Sequence, residues 1–355
     1  MTLSTDLDQP DIYTRLDPSG LRDRIAGLAD QCQRAWQEGQ AFHLPASYGS
    51  ARTIALLGVG GSAIGGDLIA GLAALENGPQ VTTCRSPHLP GWVGSDTLAL
   101  VSSYSGNTEE TLAMYRQARE KGTHLVTLTS GGELARLAQQ DGTPCFTISY
   151  DGEPRSALGY SFIAPLALLC GLGLVPDKST DLGEATQIVR DLAIGLGPDT
   201  PHSQNLAKDI AAILHNRLPV VYGAGFLSAV ARRWKTQLNE NSKVWSFWEE
   251  LPEASHNSVE AFRLHQTIGE QVSVILLHSY FLAPRTTDRF QAIERLLVRK
   301  GIPYRQLDGA GESPLSHLLS TVLLGDYASY YLAMLNGVDP SPLSIIEGLK
   351  QQPPH

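Results

Sequence analysis

The sequence predicts an α/β protein made of two doubly wound halves, each a parallel sheet flanked by helices. Three observations predict it. Apolar, β-branched runs of strand length alternate with helical apolar patterns, as expected of parallel strands joined by right-handed crossovers. At 355 residues the chain exceeds the roughly 250–300 residues at which a single core stops growing. The run "IALLGVGGSAIGGDLIAG" is also echoed by a later "PVVYGAGFLSAVARRW".

Taken in order, residues 1–45 read as a helical lead-in, with Leu21, Ile25, Leu28, Cys32 and Trp36 at helical spacing. Residues 46–178 form the first half. Its strands are read at "RTIALLG", "QVTTCRS", "TLALV", "HLVTLT" and "PCFTISY", separated by helices or turns. The apolar stretch "FIAPLALLCGLGLV", residues 162–175, is shorter than the roughly 20 residues that span a bilayer and reads as a buried helix. Proline, glycine and charge gather in "VPDKSTDLGEA", residues 175–185, and place the boundary there. The second half, residues 179–355, reads as strands at "LPVVYG", "VSVILLH" and "PYRQLD" with intervening helices. A helix from about residue 315 to 335 closes it.

Composition excludes several classes of function. A net charge of −9 and a pI near 5.6 oppose nucleic-acid binding, which depends on basic faces neutralising phosphates. The four cysteines lie far apart with no CxxC pair, so neither a zinc site nor a disulfide framework is expected. The N-terminus "MTLSTDLDQPDIYTRLD" lacks a basic region followed by an apolar core, which argues against a secretory signal. A cytoplasmic protein with no membrane partner is the expectation.

Two strand-to-helix loops point to an anion. Gly58, Gly60 and Ala63 formally satisfy the dinucleotide fingerprint, so a Rossmann dehydrogenase is a competitor. That fingerprint wants an acid about 20 residues on to hold the ribose, and the chain offers Arg85, which only an NADP site would accept. Ser62 adds a hydroxyl the fingerprint does not need, and "SSYSGNTEET" brings a second hydroxyl-rich loop. In that loop Asn107 and Glu110 have capping-box spacing. A cap needs one such side chain, however, whereas Ser103, Ser105 and Thr108 beside Gly106 aim several neutral donors at a helix N-terminus. Loops at the carboxyl edge of neighbouring parallel strands are where open sheets bind ligands, and a phosphomonoester fits these donors. Ser102, Tyr104 and Thr111 are assigned to the fold.

"GVGGSAIGGD" and "SYSGNTEET" resemble the sugar isomerase (SIS) domain. "PRSALGY", "NENSK", "LPEASHN" and "DPSPLSIIEGLK" resemble the bifunctional phosphoglucose/phosphomannose isomerases, with all six motifs in the expected order from Gly58 to Lys350. The resemblance implies two SIS-type subdomains and a phosphate clamp of Ser62, Ser103, Ser105 and Thr108 with the Gly61 amide. It makes Glu240 the base, His256 the group that opens the sugar ring, and Arg155 and Lys350 the cations that assist. No cofactor and no metal are implied. The substrates would be hexose phosphates, glucose 6-phosphate and mannose 6-phosphate exchanging with fructose 6-phosphate, on a homodimer with shared sites, since in such enzymes the histidine can come from the partner subunit.

The chemistry suits these residue types. One carboxylate near C1 and C2 can carry a proton between them through a cis-enediol, and a histidine titrates where ring opening needs an acid or base. A fixed cation stabilises the enediolate. Without the resemblance, Glu240 is one of 36 acids and His256 one of ten histidines, and spacing alone selects neither. Ser255 and Ser258 stand where asparagine and glutamate are expected. Near the C-terminus only Ser341 and Ser344 are found where a threonine is expected, which makes the glucose 6-phosphate activity the firmer half. Trp245 and Trp248 read as core or subunit contacts. The alternatives are an SIS isomerase of another phosphosugar, or a sugar-phosphate sensor, which would have no use for Glu240, His256 and Lys350 together.

Overall fold

Strands β1 (Thr53–Leu57), β2 (Gln80–Cys84), β3 (Thr97–Ser102), β4 (His124–Thr129) and β5 (Cys145–Thr147) pair in parallel, in the order β2-β1-β3-β4-β5. The structure is a computed structural model describing residues 6–263 and 269–350. All of β3 and all but the first residue of β1 are buried. Such strands are apolar throughout because helices cover both faces of the sheet. The chain leaves β1 towards β2 on one side and returns through β3 towards the other, so a crevice opens between the carboxyl ends of β1 and β3.

A second parallel sheet repeats this winding. It holds β6 (Leu218–Ala224), β7 (Phe247–Leu251), β8 (Val272–His278) and β9 (Tyr304–Asp308), in the order β7-β6-β8-β9. Strand β7 is absent from the sequence reading. Its "FWEEL" carries two glutamates and an exposed Phe247, and among the described residues it pairs only with β6, at the sheet edge. Edge strands are short and polar for good reason, and they lose the apolar signature that marks a central strand.

The lead-in is three helices, Asp11–Leu16, Leu21–Ala26 and Leu28–Ala41. Gly20 in the left-handed region starts the second and Gly27 separates it from the third. The stretch 162–175 is buried, as expected for a core element, but it is composite. A π-helical turn, Gly159–Ile163, runs into a helix, Ala164–Gly171. The helix Gly61–Ala73 lies against that turn so closely that a Cβ on Gly65 would sit 1.9 Å from the Ser161 carbonyl oxygen. This contact seats the first hydroxyl loop beside Arg155.

The helix Pro314–Leu335 runs through the centre, with 20 of its 22 residues buried. It is long and apolar enough to cross a membrane by length and composition, yet 94% of its apolar window is inside the fold. An all-round apolar helix of this kind belongs in the core of a large domain. One continuous hydrophobic cluster joins Ile54, Leu100 and Val126 of the first sheet to Val221, Ile275 and Leu307 of the second.

Candidate active site

Two loops meet at the β1/β3 crevice. A Cβ on Gly58 would fall 2.7 Å from the Ser102 carbonyl oxygen, so only glycine allows the loops to approach this closely. The Tyr104 amide donates to Ser62 Oγ at 3.2 Å and joins them. Ser103 Oγ lies 2.9 Å from Thr108 Oγ1 and accepts from the Gly106 amide at 3.1 Å. Ser105 Oγ accepts from the Asn107 amide at 3.3 Å and is exposed. Ser102 and Thr111 are buried, and Tyr104 donates its hydroxyl to the Tyr150 carbonyl at 2.6 Å.

The capping-box reading of Asn107 does not survive. Its Oδ1 accepts from the Glu133 amide at 3.0 Å, capping the next helix, Gly132–Asp141. The helix Glu109–Glu120 begins after Thr108 with no side chain bonded to its first amides. Those amides carry the partial positive charge of a helix N-terminus, beside the hydroxyls of Ser103, Ser105 and Thr108. Arg85, the residue in the ribose position of the dinucleotide reading, pairs with Asp67, which also binds Arg232 at 3.2 Å.

Arg155 adjoins the first loop, since a Cβ on Gly61 would meet the Pro154 carbonyl at 3.0 Å and the Arg155 amide at 3.1 Å. Its side chain is 4% exposed. Nε donates to Asn241 Oδ1 at 2.8 Å, and Nη2 donates to the carbonyls of Pro340 at 2.9 Å and Ser341 at 3.1 Å. Among the described residues, Nη1 is buried without a hydrogen-bond partner and stands 3.8 Å from Glu240 Oε2, whose side chain is 24% exposed. Burial pushes the Arg155 pKa down, while Glu240 and Glu153 oppose that push. An arginine starts so high that it remains a cation.

Glu240 is the last residue of the helix Ser228–Glu240. Core contacts fix that helix. Trp234 Nε1 donates to the Thr321 carbonyl at 2.9 Å, and Arg233 pairs with Asp326 at 2.7 Å. Gln237 reaches the other Asp326 oxygen at 2.9 Å. Beyond the helix, Lys243 donates to the carbonyls of Glu240, Pro340 at 3.1 Å and Pro342 at 2.8 Å, which ties the "DPSP" segment to the helix end. Burial and the nearby Arg155 charge lower the Lys243 pKa. A cavity of about 540 Å³ opens beside Glu240, lined also by Asn239, Trp245, Phe247 and Ile346.

The other two predicted residues stand apart. His256 ends a short helical turn, Glu253–His256, after β7, and is exposed. Among the described residues, no hydrogen bond or ion pair joins it to Arg155 or Glu240. The segment satisfies its own polar groups: Ser255 donates to the Pro252 carbonyl, and Asn257 Nδ2 donates to Glu253 at 2.8 Å. Lys350 closes the helix Ser344–Lys350, and its side chain lies outside the described residues. Ser341 Oγ lies 2.5 Å from Ser19 Oγ, and its carbonyl holds Arg155. Trp245 is 80% exposed and so not a core residue, whereas Trp248 is half-buried with Arg232 over its ring.

Sequence reasoning missed Asn241, Lys243, Arg233 and Asp326. A signal existed for three of them. Asn241 and Lys243 follow Glu240 in "NENSK", and an acid such as Asp326 inside an apolar helix calls for a buried partner.

Residues 203–352 match the bacterial phospho-glucose isomerase C-terminal SIS domain. A protein of Caldicellulosiruptor bescii named bifunctional phosphoglucose/phosphomannose isomerase is 34% identical over 329 residues, covering 92% of this chain and 97% of its own length. The chain belongs to the bifunctional phosphoglucose/phosphomannose isomerase family. Its membership makes it an isomerase. A second family member, from Thermoplasma acidophilum, is 31% identical over 309 residues, covering 86% of this chain and 90% of its own. Tagatose-6-phosphate ketose/aldose isomerase from Escherichia coli shares the fold, with a TM-score of 0.69 at 16% identity over 90% of this chain and 93% of its own. The C-terminal SIS match takes in Glu240, His256 and Lys350. The hydroxyl loops precede it, within the reach of the full-length family relatives.

Proposed function

We propose that this isomerase interconverts glucose 6-phosphate, and also mannose 6-phosphate, with fructose 6-phosphate through a cis-enediol. The observation that carries the reading is the buried, unpartnered Arg155 Nη1 facing the Glu240 carboxylate at 3.8 Å, next to the hydroxyl loops. A sensor that only binds a sugar phosphate has no need of a fixed cation opposite a carboxylate.

The substrate phosphate is held by Ser62, Ser103, Ser105, Thr108 and the Gly61 amide. These are neutral donors, helped by two helix N-termini. Glu240 takes the C2 proton while the C1 carbonyl electrons move onto O1, forming the enediolate. It returns the proton to C1 as the O2 hydroxyl proton passes to O1 and the C2–O bond becomes the ketone. Return of a proton to C2 from the opposite face yields the mannose epimer. Arg155 Nη1 offers its unspent donor to the charged enediolate oxygens, where a preorganised donor in a dry site is most effective. Lys350 assists at the sugar oxygens. None of these steps calls on a metal or cofactor.

His256 opens the ring, and the partner subunit of a homodimer supplies it. Support comes from its exposure and its lack of side-chain partners among the described residues, and from the exposed Trp245 and Phe247 beside Glu240, which a second subunit would cover. The division into a lead-in, residues 46–178 and residues 179–355, and a cytoplasmic setting, belong to the same proposal.

The test supplies fructose 6-phosphate to the purified protein with a chelator present and follows both aldose products. Formation of glucose 6-phosphate is expected, with mannose 6-phosphate alongside. Silence in both channels overturns the reading, and activity lost only with the chelator overturns the metal-free mechanism.

A further inference from the structure

A guanidinium 3.8 Å from a carboxylate and without a hydrogen bond on its nearest nitrogen is being held back. Left to itself, an arginine closes on a carboxylate as a two-pronged fork with contacts of about 2.7–2.9 Å. Something other than Glu240 therefore sets the orientation of Arg155. Two of its restraints are backbone carbonyls, those of Pro340 and Ser341. The third is the side chain of Asn241, the residue that directly follows Glu240.

Asn241 is fully buried, and its amide is held in one sense. The Ser329 hydroxyl has a single proton, which it donates to the Asp326 carbonyl at 2.8 Å. Its oxygen can then only accept, and Asn241 Nδ2 donates to it at 3.0 Å. That leaves Asn241 Oδ1 pointing at Arg155 Nε. The far end of Arg155 is held through the same helix, since Arg233 Nη2 bonds both the Arg155 carbonyl at 3.2 Å and Asp326 at 2.7 Å. The contacts form a closed ring, Arg155 to Asn241 to Ser329 to Asp326 to Arg233 and back.

We propose that Asn241, its amide oriented by Ser329, is a positioning residue for the isomerase reaction: it keeps Arg155 Nη1 free and aimed at the space over Glu240. The inference rests on the reading of Arg155 and Glu240 as the reacting pair. It assigns the asparagine of "NENSK" and a core serine 88 residues away to one task. Asn241 touches no substrate atom. Loss of its hold lets the guanidinium close on Glu240, occupying the donor and the base with each other.

The test is steady-state kinetics on Asn241→Ala, Ser329→Ala and the double variant with fructose 6-phosphate, each checked for folding by a thermal melt. In Asn241→Ala, kcat should fall about 100-fold, the loss a misplaced catalytic group causes. KM should stay within about 2-fold, because the phosphate clamp is untouched. Ser329→Ala reaches Arg155 through Asn241, its other hydroxyl bond being to a carbonyl of its own helix, so a fall of about 10-fold is expected. The double variant should be no slower than Asn241→Ala, which is the non-additivity of one chain of contacts. Asn241→Ala turning over within about 2-fold of an active wild type overturns the inference, as do single losses that multiply in the double variant. Should Asn241→Ala fail to fold, Ser329→Ala alone decides, and an unchanged kcat defeats the proposal. Wild type silent toward fructose 6-phosphate defeats the isomerase reading itself and the inference with it.

Discussion

The β1/β3 crevice and its counterpart at β6/β8 are products of the same winding, yet their loops carry different side chains. At β1/β3, glycines bring two backbones together, and hydroxyls face a helix start with no side-chain cap. At β6/β8, the turn through Gly225, at φ +52°, leads into buried Phe226 and Leu227. Leu282 fills the space beside it, 3.3 Å from where a Gly225 Cβ would sit. In the second crevice, too, the polar side chains are bonded locally, here partly to carboxylates. Ser228 donates to Glu250 at 2.9 Å, and Ser279 accepts from the Phe281 amide at 3.1 Å. His278 is held by Asp308 at 2.5 Å and Thr287 at 3.3 Å. An anion there would meet apolar side chains and a carboxylate. The winding places a crevice, and the side chains decide whether it is used. On the proposed mechanism the second half contributes a helix end, at Glu240, in place of a second clamp.

The largest break in that comparison comes from the helix end. Glu240→Gln should lower turnover about 1,000-fold, within the range for a general base, while fructose 6-phosphate still binds by calorimetry. A variant that kept its rate would remove the second half from the proton transfer. Glycine exchange separates the crevices next. Gly106→Ala would place a Cβ 1.8 Å from the Gly131 carbonyl oxygen at φ +70°, so the clamp loop must shift, and a rise in KM of at least about 10-fold with a lowered Tm is expected. Gly225→Ala meets only the tip of Leu282 and should cost about 1–2 kcal/mol of stability, read by denaturant melts, with KM unmoved.

The hydroxyls give the smallest and sharpest contrast. Ser105→Ala should raise KM about 5- to 10-fold with kcat nearly constant, since it removes a phosphate donor remote from C1 and C2. Ser228→Ala, the counterpart in the second crevice, should leave both constants unchanged. If Ser105→Ala instead lowers kcat, phosphate binding is being used to drive the chemistry.

Much of this was legible because it is local. The strands β1, β3, β6 and β8 are short apolar runs ended by glycine or hydroxyl clusters, and the excess of hydroxyls over what a cap requires singles out "SYSGNT" as a candidate ligand loop. Strand β7 was not legible, because an edge strand with two glutamates has no apolar pattern. Nor was the work of Asn107. Its spacing to Glu110 fits a capping box, but the next helix start lies close enough in space to claim its side chain.

The sequence by itself determined the alternation of strands and helices, the glycines where backbones must touch, and the stock of hydroxyls and cations from which a site could be built. Periodicity, turn chemistry and composition act over a few residues, so they can be read from a string. Tertiary structure alone decided which groups meet. Arg155 is held by Asn241 and Pro340, 86 and 185 residues further on, and its remaining nitrogen is turned to Glu240. Contacts at such separations depend on how the helices Ser228–Glu240 and Pro314–Leu335 pack in the core, and no local pattern encodes that packing.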